Sequence, residues 1–191
     1  MKSRLSLLLL LGLTACGGIP LRSLPQLMAL QNDLLAANPA EFMLAIQVDA
    51  QMVPPVGAVP TLQLAIRPTE SGGFTAIDKK LPMRFTIESA NALGLEIPNH
   101  GRKWLIYSLP AESQAELTRL QSYFKGLRTE QHGGTVGIGI AQDGIATSEP
   151  ALANSKWESW LQTSKRRGFF ELWSGSIAEL IKLAKAGEAA K

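Results

Sequence analysis

Few side chains in this sequence have the type and spacing that chemistry requires. The only histidines are His100 and His132, each in a glycine-containing turn. Neither belongs to a two-histidine pattern or to a carboxylate-rich helical repeat, so no metal site is expected and both read as exposed turn residues. A serine nucleophile would need a partnered base and a recognisable turn. There is no Gly-x-Ser-x-Gly, and Ser174-Gly175 is not completed upstream. The glycine-rich run Gly133-Gly134-Thr135-Val136-Gly137-Ile138-Gly139 is not a phosphate loop. Such a loop places its glycines between a strand and a helix N-terminus, whereas Gly137 and Gly139 alternate inside an apparent strand. Close packing or a bend is the expected reason for them. No nucleotide and no cofactor is expected.

The most suggestive segment is Trp157 to Trp173. It holds three of the four tryptophans, the adjacent Phe169 and Phe170, and the cations Lys165, Arg166 and Arg167. Aromatic rings beside cations can bind headgroups, sugars or a partner protein. Trp157, Trp160, Lys165, Arg166 and Arg167 are therefore the candidate binding surface. The competing reading puts the tryptophans in the core and the cations on a solvated turn. Trp173 ends an apolar strand and is expected in the core, while the sequence leaves Trp157 open.

The lone cysteine, Cys16, sits at the end of an unusual N-terminus. Met1 to Arg4 is short and basic, Leu5 to Leu13 is almost wholly apolar, and Leu13-Thr14-Ala15-Cys16 follows at once. The apolar run is shorter than the roughly 20 residues a bilayer-spanning helix needs. It has the form of an export signal. Residues 13–16 resemble the lipobox of bacterial lipoproteins. The resemblance implies diacylglyceryl transfer to the Cys16 thiol, cleavage between Ala15 and Cys16, and acylation of the new amino terminus. Several acyl chains would hold the chain stably on a membrane. Gly17 rather than Asp after the cysteine implies the outer membrane, periplasmic face, in preference to the inner membrane.

This reading leaves no thiol for disulfide, nucleophile or metal chemistry. Loss of Lys2 and Arg4 lowers the 19 basic residues to 17 against 16 acidic ones, a side-chain balance of +1. The basic balance is thus partly a property of the leader, and no nucleic-acid partner is expected.

The elements that must position these residues follow from periodicity. A tether and then a helix are expected over Ile19 to Asn38, with Leu24, Leu27, Met28, Leu30, Leu34 and Leu35 on one stripe. Strands are expected at Phe42–Ala50, Thr61–Arg67, Met83–Glu88, Trp104–Leu109, Thr135–Ala141 and Phe169–Trp173. The first two are expected to be neighbours, and Trp104–Leu109 to be central. Turns are expected at Ser71–Gly73 and Pro98–Gly101. Pro110–Arg128 reads as a helix with Ala115, Leu117, Leu120, Phe124 and Leu127 on its stripe and Ser108 or Ser113 as cap. Ser155-Lys156-Trp157-Glu158 and Ser176-Ile177-Ala178-Glu179 both have capping-box spacing, predicting a short helix through Trp160 and Leu161 and a final helix from Ile177. The resulting α+β domain has a mostly antiparallel sheet with helices packed on one face. It spans residues 23–187, after a cleaved leader (1–15) and an acylated tether (16–22) and before a frayed end (188–191).

Three functions fit. In order, these are a non-catalytic lipid-anchored module that binds or scaffolds another envelope protein, a module for a small molecule, lipid or glycan, and an enzyme built on scattered carboxylates. A large exposed apolar patch would favour the first. A closed apolar pocket would favour the second, and paired carboxyls with one raised pKa the third.

Overall fold

The structure is a computed structural model that describes residues 36–69, 74–129, 134–146 and 149–189. Cys16, Ala15, most of the expected first helix, the Ser71–Gly73 turn and His132 lie outside them. Among the described residues eight strands fall into two antiparallel sheets. They are β1 (Met43–Asp49), β2 (Thr61–Pro68), β3 (Ile77–Pro82), β4 (Arg84–Phe85), β5 (Arg102–Ser108), β6 (Gly134–Ala141), β7 (Lys156–Gln162) and β8 (Phe170–Ser176). The larger sheet runs β4-β5-β1-β7-β8 and the smaller β3-β2-β6. Helices α1 (Ala111–Thr129) and α2 (Ile177–Ala189) pack with these sheets in a single α+β domain.

β1 is central because its sequence suits burial on both faces. Phe42, Leu44, Ile46 and Val48 enter the main core, and Met43 and Ala45 enter a smaller cluster on the opposite face. The main core also takes Leu62, Leu64 and Ile66 from β2, Leu105 and Tyr107 from β5, and Leu117, Leu120 and Phe124 from α1. Burial pushes the Tyr107 phenol up to about 12.

Several sequence expectations are corrected. β2 does not pair with β1; it lies between β3 and β6 in the other sheet. The intervening loop, with Pro54, Pro55 and Pro60, carries the chain from one sheet to the other. β3, with sequence IDKKLP, went unseen because an edge strand buries one face and tolerates lysines on the other. The strand expected over Met83–Glu88 shrinks to Arg84–Phe85. Met83 turns into the core and its N–H donates to the Pro60 carbonyl, while Ile87 is fully exposed.

Neither serine caps α1. The Ser113 hydroxyl donates to the Pro82 carbonyl at 2.9 Å, and the Ser108 hydroxyl bonds that of Thr86 at 2.8 Å. Leu117, Leu120, Phe124 and Leu127 of the expected stripe are buried, whereas Ala115 is exposed and Ser113 takes the buried position one turn before Leu117. The glycines of β6 are not needed for close packing at Gly137 and Gly139. A Cβ there would meet Ala65 at 3.5 Å and Gln63 at 4.0 Å, which are ordinary contacts.

The largest correction concerns the tryptophan segment. Trp160 and Leu161 are in β7, not a helix. The Ser155 hydroxyl donates to the Leu152 carbonyl rather than capping. Trp157, Ser159 and Leu161 recur every second residue and all are buried, so period 2 prevails over the local capping pattern. The second capping box forms as expected. The Glu179 N–H donates to the Ser176 hydroxyl at 3.2 Å, and the Ser176 N–H donates to the Glu179 carboxylate at 2.8 Å.

Candidate functional site

Alternation along β1, β5 and β7 sends half of their side chains to the outer face of the larger sheet. Register then decides who meets whom. Gln47 on β1 faces Trp104 on β5 and Glu158 on β7, and Ala45 faces Ile106 and Trp160. Ala45 is small, so Trp104 and Trp160 approach across it. Their rings meet edge to face, with centroids 6.5 Å apart and planes at 78°.

The segment 90–99 roofs this face. Leu95 is buried against Met43, Ala45 and Ile106. Gly94 takes a φ of 75°, which only glycine adopts at little cost, and this ends the short turn Asn91–Leu93. The Trp104 indole N–H donates to the Glu96 carbonyl at 2.9 Å and so pins the roof to the sheet. Between roof and sheet lies an open groove of about 430 Å³, lined by Gln47, Glu96, Trp104, Glu158, Trp160 and Phe169 among others. That volume is within the usual range for ligand sites.

One end of the groove is clamped. The Arg102 guanidinium donates to the Gln47 side-chain oxygen at 2.7 Å, to the Gln47 carbonyl at 2.5 Å, to the Lys156 carbonyl at 2.9 Å and to the Glu158 carboxylate. It thereby ties β5, β1 and β7 together. Lys156 donates to the other Glu158 oxygen at 2.5 Å. Partial burial acts to raise the Glu158 pKa, but the bonds from Lys156 and Arg102 outweigh it and hold the carboxyl below its ordinary range. Glu158 is therefore ionised at neutral pH, with both oxygens engaged. It is poorly suited to act as a general acid.

The five candidate residues from the sequence do not form one surface. Trp157 is fully buried on the inner face, where its indole N–H donates to Gln142 Oε1 at 2.9 Å. Trp160 lies on the outer face and lines the groove. Lys165, Arg166 and Arg167 are exposed on the β7–β8 turn, where the Lys165 backbone N–H donates to Glu41 at 2.9 Å. Trp173 packs on the main core, as its strand position suggested. Sequence reasoning missed Gln47, Arg102, Trp104 and Glu158. The one legible signal was Gln47, a lone amide within an otherwise apolar stretch of strand. Its partners depend on register.

His100 is exposed in its turn. Among the described residues no group of three His, Cys, Asp or Glu side chains is placed to hold a metal ion. No helix among them is long and apolar enough to cross a membrane. No protein-family model matches the chain, and neither a curated protein nor a solved structure matches it.

Proposed function

We propose that this chain is a lipid-anchored envelope protein whose folded domain is a non-catalytic binding module. Lipids on Cys16 hold it at the periplasmic face of the outer membrane, and the groove on the outer face of the larger sheet receives its ligand. The groove carries this reading: two tryptophans, a buried amide and a locked ion pair converge under a pinned roof. Binding sites join apolar walls to a few fixed polar groups in this way. A general-acid carboxyl would need a raised pKa, and Glu158 is held in the opposite direction with both oxygens engaged.

Two experiments test it. Metabolic labelling with a clickable fatty acid should mark the chain, and Cys16→Ser should abolish the label, because only the thiol accepts diacylglycerol. Undiminished label on the variant would remove the anchor. A photoreactive residue in place of Ile97, which lines the groove and is 88% exposed, should capture a ligand in intact cells. The same probe at exposed Val56 serves as the control. Equal capture from both positions would reject the groove.

A second reading, a protein partner, is favoured by Phe85 on the short edge strand β4 and Ile87 just beyond it, which are 53% and 95% exposed. A probe at Ile87 that captures a protein while Ile97 captures nothing would select it.

A further inference from the structure

Building on the reading that the groove is the binding site, we propose that its ligand is a neutral oligosaccharide. The argument rests on which polar groups the groove has already used. The Arg102 guanidinium makes four hydrogen bonds within the protein, and each Glu158 oxygen already accepts one. An anionic ligand would have to displace Glu158 from Arg102 and would also meet Glu96 on the roof, and a cationic one would find Glu158 already engaged by Arg102 and Lys156.

What is left over is specific. The Gln47 side-chain oxygen is held by Arg102 at 2.7 Å. This fixes which end of the amide carries the nitrogen. That nitrogen has no hydrogen-bond partner among the described residues, although Gln47 is only 7% exposed and lines the groove. Two amide N–H donors thus stand in a nearly buried position, and Glu158, the register neighbour of Gln47 on β7, keeps further acceptor capacity. A hydroxyl is the group that accepts from one and donates to the other at once. An acyl chain can do neither.

The adjoining wall is aromatic. Trp104 spends its N–H on Glu96, so toward the groove it offers ring carbon, and Trp160 and Phe169 extend that surface. Ring surface of this kind packs against the C–H face of a sugar, while the hydroxyls on its rim reach Gln47 and Glu158. A pyranose combines these two surfaces without net charge.

The test uses the full-length lipidated protein in a sugar-free detergent. N-acetylchitotetraose and maltotetraose are titrated by calorimetry and by NMR, with a tetra-alanine peptide as the competing class. At least one oligosaccharide should bind and shift the indole resonances of Trp104 and Trp160, but not that of Trp157 on the other face. Gln47→Glu keeps the oxygen for Arg102 and loses the amide donor. Trp160→Leu keeps apolar bulk and loses the ring. Each should weaken binding about tenfold, as loss of one good contact does. Replacing Lys165, Arg166 and Arg167 with serine should leave binding unchanged. The proposal is overturned if neither oligosaccharide binds up to roughly 10 mM, if Trp104 and Trp160 do not shift in the unmodified protein, or if the peptide alone shifts them. Capture at Ile97 under any of these outcomes would leave the groove as a binding site for another class of ligand. Absence of that capture too would remove both readings.

Discussion

Trp157 and Trp160 lie three residues apart on the same strand, yet they belong to different regions. The inner face of the larger sheet is a dry core in which Trp157 satisfies its one polar atom with Gln142. The outer face is a half-open groove in which Trp160 meets Trp104 beside a charged clamp. Three steps along a strand reverse the face, whereas three steps along a helix keep it. Helical spacing would have placed both rings on one surface. Strand spacing makes one a packing residue and the other a lining residue.

The sharpest way to break this contrast is to empty each site in turn. Trp157→Ala should cost about 3–5 kcal/mol, the usual loss for a buried aromatic, and it also leaves Gln142 without its donor. That is a large share of a typical total stability of roughly 5–15 kcal/mol. Trp160→Ala should cost less than half as much, because its site is open to water on one side. Denaturant melts of the two variants measure the difference. Equal losses would mean that the outer face is as much core as the inner.

The clamp should rank next. Arg102→Met removes the guanidinium from Gln47, Glu158 and Lys156 and strands a poorly exposed carboxylate. The expected loss is about 2–3 kcal/mol, because hydrogen bonds to charged groups are the strong ones and Lys156 still partners Glu158. A loss below about 0.5 kcal/mol would place the clamp among weak surface ion pairs.

What the sequence disclosed divides along the same line. The α+β class, the antiparallel pairing, β1, β6 and the Ser176–Glu179 capping box are legible because each is a local pattern of alternation or spacing. The groove is not local. Gln47, Trp104 and Glu158 are far apart in the chain and become neighbours only through the registers of β1 with β5 and β7. The helix expected at Trp160 shows the cost of trusting a local signal. Ser155-Lys156-Trp157-Glu158 has capping spacing, but pairing on both edges of β7 and burial of Trp157 outweigh it.

Acid gives a smaller and reversible test of the clamp. The Glu158 pKa is depressed in the folded state, so its contribution to stability is present above the unfolded value and is lost as pH falls through the folded one. Stability should therefore drop as pH goes below the ordinary glutamate value of 4.5. Glu116, held down to about 2 by Arg119 and Lys79, contributes in the same direction. The informative quantity is the difference between the native protein and Glu158→Gln, which should lose part of this acid dependence. Identical pH profiles would show that Glu158 gains nothing from Arg102 and Lys156.

The smallest effect is expected from the cations that looked most suggestive in the sequence. Lys165, Arg166 and Arg167 sit exposed on the β7–β8 turn. The turn itself is held by backbone: the Arg167 and Gly168 N–H groups both donate to the Ser164 carbonyl at 3.1 Å, and the Lys165 N–H donates to Glu41. Serine retains all of these bonds. Replacing all three cations together should change stability by well under about 1 kcal/mol, as exposed substitutions do. Gly168 is different, because its φ of 70° lies in the left-handed region. Gly168→Ala should cost about 1 kcal/mol through backbone strain alone. One missing hydrogen on the turn should therefore matter more than three charges. If the triple serine variant instead proves the less stable, the cations are partners of the fold and the turn belongs with the clamp rather than with solvent.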